Sequence, residues 1–69
     1  MIYLFLATGF EEIEALTTVD ILRRGGLEVA TVGIGGKIIT GSHGIPVRAD
    51  VMDTEVIPDE NVEAVVQYP

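Results

Sequence analysis

The opening of the chain constrains the fold most, because the residues from Ile2 to Ala7 form an uninterrupted apolar run. Such a run, closed by Thr8 and Gly9, predicts a short strand that is buried on both faces. Strands of this kind belong to parallel sheets, in which helices cover both faces. The sequence therefore predicts an α/β fold.

A helix is predicted directly after this strand. Thr8 and Glu11 have the spacing of a capping box. In such a box the Thr8 side chain accepts from the Glu11 backbone N–H, and the Glu11 side chain accepts from the Thr8 backbone N–H. At the other end, Arg23–Arg24 oppose the helix dipole and Gly25–Gly26 supply a left-handed terminus. One apolar stripe of the helix comprises Ala15, Leu16, Val19 and Leu22, and a second, partly apolar face comprises Glu14, Thr18 and Ile21.

The rest of the chain predicts a second parallel strand, an antiparallel excursion and a third central strand. Leu27–Val32 alternates and completes a βαβ unit, Lys37–Thr40 and Ile45–Ala49 form a hairpin, and Val62–Val66 is the third central strand. Such a sheet with one helix leaves an apolar face uncovered. We therefore expect residues beyond Pro69, or another polypeptide, to complete a single domain of which residues 1–69 are the N-terminal part.

Composition excludes several classes of function. With 69 residues the chain holds one domain at most, and its formal charge of −7 repels nucleic acid and anionic membrane surfaces. It has no cysteine, which excludes disulfides and thiolate metal sites, and the first acidic residues arrive too early for a signal peptide or a membrane span. A soluble cytoplasmic protein is the expectation.

The glycine-rich and histidine-containing segments favour structural roles. Gly33–Gly36 lacks the spacing of a dinucleotide-binding motif, no P-loop is present, and His43 is the one histidine, so neither a cofactor nor a metal is expected. His43 could act as an acid or base, but a solvated turn residue is the favoured interpretation. Ser42 is adjacent to it in sequence and badly placed to be activated by it.

Three glutamates follow the first strand, where open α/β sheets place their ligands. For Glu11 and Glu12, compensation of the helix dipole and solvation suffice as an explanation. Glu14 differs, because its helix face would desolvate it in part and favour its protonated form. From the residues alone, both a structural and a functional role for Glu14 stay open.

The segments from Leu6 to Ala15 and from Val19 to Val29 resemble the start of the ThiJ/PfpI family. The resemblance continues through Gly41–Gly44 and Val47–Asp50 to Val65–Pro69, and so extends along the whole chain. It implies a flavodoxin-like sandwich of the class I glutamine amidotransferase type, whose reactive cysteine lies beyond the residues seen here. It also implies that Glu14 is the glutamate that hydrogen-bonds that cysteine.

The resemblance further implies a homodimer formed through the first helix. The candidate interface residues are Ile13, Asp20, Arg24 and His43. Relatives often carry arginine at the position of His43, and some carry a cysteine at the position of Gly41.

Three functions follow as alternatives. The first is a cysteine-dependent enzyme of glyoxalase or deglycase type that acts on reactive carbonyls, with Glu14 tuning a cysteine outside this chain. The others are a non-catalytic role, as a redox-stress chaperone or a structural fragment, and an intracellular peptidase. The 69 residues alone are expected to lack catalytic activity.

Overall fold

The computed structural model describes residues 1–56 and 64–68, which form an α/β unit. Its elements in chain order are β1 (Ile2–Leu6), α1 (Glu12–Arg24), β2 (Val29–Gly33), β3 (Ile38–Thr40), β4 (Pro46–Arg48), β5 (Val51–Met52), a 3-10 turn (Asp53–Glu55) and β6 (Ala64–Tyr68). The main sheet has the order β5-β2-β1-β6 with every pairing parallel, and β3 and β4 form a separate antiparallel hairpin. The predicted flavodoxin-like α/β class is confirmed.

The predicted elements are present with shifted bounds. The second strand begins at Val29 instead of Leu27, and the strand predicted over Val62–Val66 is observed as Ala64–Tyr68, with Val62 and Glu63 outside the described residues. Within the described chain β6 pairs with β1 alone and lies at the edge of the sheet, although a central strand was predicted. The short β5, which pairs with β2, was not predicted.

The core lies between one face of the sheet, α1 and the hairpin. Alternate residues of β1 are buried in it, together with Phe10, two residues of α1 and Ile39 of β3. Tyr3 and Phe5, on the opposite face of β1, are half-buried because no described helix covers that face. In the described residues β1 is thus buried on one face, as expected for a sheet covered by one helix, and its burial on both faces stays a prediction.

Asp50 connects the end of the hairpin to the main sheet through hydrogen bonds. Its carboxylate accepts from the backbone N–H of Thr31 at 2.9 Å, from the Thr31 hydroxyl at 3.1 Å and from Arg23 at 2.8 Å. Burial acts to raise the pKa of Asp50, but these partners outweigh it and lower the pKa. Arg23 also donates to the Val29 carbonyl, so it links α1 to β2 as well as opposing the dipole.

Candidate functional site at the carboxyl end of the first strand

The loop from β1 to α1 is set by a tight turn and a buried aromatic ring. The Phe10 N–H donates to the Ala7 carbonyl at 3.1 Å, Gly9 has a φ of +89°, and the Phe10 side chain is fully buried. The helix begins at Glu12, with Glu11 as an extended N-cap residue that makes no side-chain cap. The predicted capping box of Thr8 and Glu11 is therefore wrong, because Thr8 belongs to the turn.

The β3–β4 hairpin is attached to this loop by backbone hydrogen bonds. The Gly9 N–H donates to the Thr40 carbonyl at 2.9 Å, and the Ser42 N–H donates to the Phe10 carbonyl at 2.8 Å. The turn of the hairpin, residues 41–45, thus lies directly against the first turn of α1.

Glu12 is the buried carboxylate of this contact, with 4% of its surface exposed. One oxygen accepts from the backbone N–H of His43 at 2.8 Å and of Ile45 at 3.3 Å, and the other lies 3.0 Å from Nδ1 of His43. Burial acts to raise the pKa of Glu12, but these hydrogen bonds outweigh it and lower the pKa to about 2. Glu12 does lie in the first turn of α1, where a negative charge compensates the helix dipole, but the expectation that it is solvated is wrong.

His43 is exposed over 70% of its side chain, yet it is not only a solvated turn residue. Its hydrogen bond to Glu12, reinforced by the charges of Glu11 and Glu12, raises its pKa above the usual 6.5. The Ser42 hydroxyl donates to Glu11 at 2.7 Å and also lies 3.1 Å from Nδ1 of His43. When Nδ1 carries the proton that Glu12 accepts, it cannot take a proton from Ser42, so this cluster is not a nucleophile and base pair.

Glu14 lies on the first turn of α1 and is exposed, so the expected partial desolvation is not observed. Its backbone carbonyl accepts from the Thr18 hydroxyl at 2.8 Å. Its predicted role toward a cysteine stays a prediction, since no cysteine is present in this chain.

Three of the candidate interface residues lie on α1, and the fourth, His43, lies in the hairpin turn. Ile13 is 80% exposed, and Arg24 pairs with Asp20 at 3.0 Å on the surface of α1. The structure places His43 beside Glu12 instead of beside these three residues. Their role in a dimer stays a prediction.

The sequence interpretation missed the pairing of Glu12 with the hairpin turn. The sequence signal for this pairing is Gly41, because a Cβ at position 41 would overlap the Glu12 carboxylate. Among residues 1–56 and 64–68, no group of acidic residues and histidines has the arrangement of a metal site, and no cavity is enclosed.

Comparison with known proteins decides the family. The sequence model of the DJ-1/PfpI family matches residues 1–67. The chain belongs to the DJ-1/PfpI family. This confirms the resemblance to the ThiJ/PfpI family that the residues around Glu14 carry.

Solved structures of the DJ-1 superfamily show the same unit. The chain is similar to a Salmonella typhimurium DJ-1 superfamily protein, solved as a cysteine-to-alanine mutant, with 40% identity over 78% of this chain and a TM-score of 0.75. It is also similar to oxidized Toxoplasma gondii DJ-1, with 31% identity over 99% of this chain and a TM-score of 0.84, and to the VC2308 protein, with 28% identity over 99% and a TM-score of 0.82. The matched segments cover 30%, 38% and 35% of those three chains.

The helix of the described residues, α1, has 13 residues. Neither it nor the 3-10 turn is long and apolar enough to cross a membrane.

Proposed function

We propose that this chain is the N-terminal segment of a cysteine-dependent enzyme that acts on small reactive carbonyls, as a glyoxalase or deglycase. The observation that carries the proposal is the position of Glu14, exposed on the first turn of α1 just after the carboxyl end of β1. Parallel α/β sheets place their ligands at this end of the strands. The reacting cysteine would come from residues outside this chain.

In this proposal Glu14 is protonated and donates a hydrogen bond to the cysteine sulfur. A neutral carboxylic acid can act as such a donor once the rest of the site shields it from water. The thiolate it holds would add to the carbonyl carbon of the substrate, so that a C–S bond forms as the C=O π bond breaks and the carbonyl oxygen takes up a proton, as in covalent catalysis by activated cysteines. Two similar proteins support a role for a cysteine in this proposal, since one was solved as an oxidized protein and the other as a cysteine-to-alanine mutant.

The first experiment is the intact mass of the purified protein, together with thiol labelling at neutral pH and an assay of methylglyoxal consumption. We expect a longer or co-purifying polypeptide that carries one fast-reacting cysteine, and no activity from the 69 residues alone, which contain no cysteine. Glu14→Ala, which removes the hydrogen-bond donor, should slow labelling at least tenfold, whereas Glu28→Ala, at an exposed glutamate before β2, should leave it unchanged. A thiol-free protein would refute the enzyme and favour a non-catalytic chaperone or structural role.

We also propose that the protein forms a homodimer through α1. The helix exposes 80% of Ile13, 37% of Leu16 and 60% of Ile21, which is apolar surface that a second copy would remove from water. Ile13→Lys should yield a monomer in light scattering, whereas Ile38→Lys, on the exposed side of β3, should not. An unchanged dimer in the Ile13 variant would place the interface elsewhere.

A cytoplasmic location stays a prediction from the sequence, as does the completion of the domain by further residues.

A further inference from the structure

The first turn of α1 and the turn of the β3–β4 hairpin form one connected unit. Two backbone hydrogen bonds join residues 9 and 10 to residues 40 and 42. The Glu12 side chain adds contacts to His43 and Ile45, and the Glu11 side chain accepts from Ser42. Of these side chains, that of Glu12 is buried. Water is therefore less able to replace its hydrogen bonds than those of the exposed side chains.

The burial of Glu12 decides which way Glu14 faces. Residues two positions apart on an α-helix are separated by about 200° around its axis. With Glu12 turned toward the hairpin, Glu14 must therefore project from the opposite side, which is where it is exposed. A rotation of the first turn that moved Glu14 would have to withdraw Glu12 from its partners.

We infer that Glu12 is a positioning residue, whose contacts with residues 41–45 fix the rotation of the first turn of α1 and thereby the position of Glu14. The inference rests on the proposed function in so far as Glu14 contacts a cysteine. The part that concerns the rotation of α1 depends on this chain alone.

The hydrogen bonds of Glu12 include one that responds to pH. Nδ1 of His43 faces Glu12 at 3.0 Å, Glu11 at 3.9 Å and the Ser42 hydroxyl at 3.1 Å. Loss of the His43 proton removes its attraction to both carboxylates. The backbone N–H groups of His43 and Ile45 continue to hold Glu12, so positioning should weaken at high pH without being lost.

The test is a double-mutant cycle in the intact protein that contains the cysteine. Glu12→Ala should slow thiol labelling at neutral pH about tenfold, in the same direction as Glu14→Ala. In the Glu14→Ala background, Glu12→Ala should change the labelling rate less than twofold, because a residue that acts only through the Glu14 side chain has no effect once that side chain is removed. Glu12→Gln should recover part of the rate, since its amide oxygen can still accept from His43, and Glu28→Ala, at an exposed glutamate outside this unit, is the control.

Equal effects of Glu12→Ala in both backgrounds, or no effect in either, would overturn the inference. If Glu12→Ala does not fold, His43→Ala takes its place in the cycle. It should slow labelling less than Glu12→Ala does, and this effect should disappear above the raised pKa of His43.

NMR separates the two proposals. If Glu14→Ala has no effect on the thiol, the proposed function fails, and nuclear Overhauser contacts of the Glu14 side chain then decide the positioning role by changing in Glu12→Ala or staying fixed.

Discussion

The α-carbon of Gly41 lies so close to Glu12 that a Cβ at position 41 would overlap the Glu12 carboxylate. The two residues are far apart in the sequence and meet because the hairpin turn lies against the start of α1. The absence of a side chain at position 41 is thus what allows a carboxylate to be buried at this point.

Gly41→Ala should destabilise the protein, because the rigidly hydrogen-bonded Glu12 has little freedom to withdraw. Overpacking of this kind costs about 1–3 kcal/mol. Urea unfolding measures the loss, and Gly36→Ala is the matched control, since a Cβ there approaches only one backbone oxygen at 3.9 Å. If the two variants are equally stable, the Glu12 side chain can move away from position 41 at little cost in free energy.

The pair formed by Glu12 and His43 predicts a stability maximum in mildly acidic solution. The lowered pKa of Glu12 gives a contribution that is present above its usual 4.5 and is lost as the pH falls toward about 2. The raised pKa of His43 gives a contribution that is complete below 6.5 and is lost as the pH rises through the raised value. Unfolding midpoints measured across this range should therefore be highest between pH 4.5 and 6.5.

His43→Gln separates the two limbs of this profile. A glutamine cannot gain a proton, so the decline above pH 6.5 should flatten while the acidic decline persists. An unaltered alkaline limb in this variant would assign that limb to another group.

Asp50→Ala should destabilise the protein by about 1–2 kcal/mol, since it leaves the half-buried cluster of Thr31 and Arg23 without its acceptor. The expected loss of stability is modest because the Asp50 side chain is 47% exposed, so water can replace part of its hydrogen bonding. Asp53→Ala, in the 3-10 turn, should stay within about 0.5 kcal/mol of the parent protein. Thermal unfolding of the two variants side by side checks the difference.

Phe10→Ala should destabilise the protein by about 3–5 kcal/mol, because its ring is fully buried in the core. Phe5→Ala, on the half-buried face of β1, should cost less in the 69 residues alone, about 1–2 kcal/mol. Denaturant unfolding compares them. If a further part of the domain covers the Phe5 face, the cost of Phe5→Ala should rise in the intact protein.

Local patterns were enough to predict much of the fold. The apolar run of β1, the charge distribution of α1 and the turn glycines of the hairpin each act over a few residues, so they can be recognised in sequence. Val51–Met52 was missed because two residues carry no pattern, and they become a strand only by pairing with β2. The helix start was displaced from Thr8 to Glu12 because the buried Phe10 and the turn at Gly9 determine the path of the chain.

The sequence by itself determined the α/β class, the parallel sheet and the position of the acidic residues after β1, because periodicity and end residues are local properties. Only the tertiary structure distinguished Glu12 from its neighbours Glu11 and Glu14. The three are the same residue type within one turn of helix, and their environments differ through the hairpin turn, whose partner residues lie about thirty positions later in the chain. A carboxylate is buried where it meets N–H donors, and a linear sequence does not show where those donors will be.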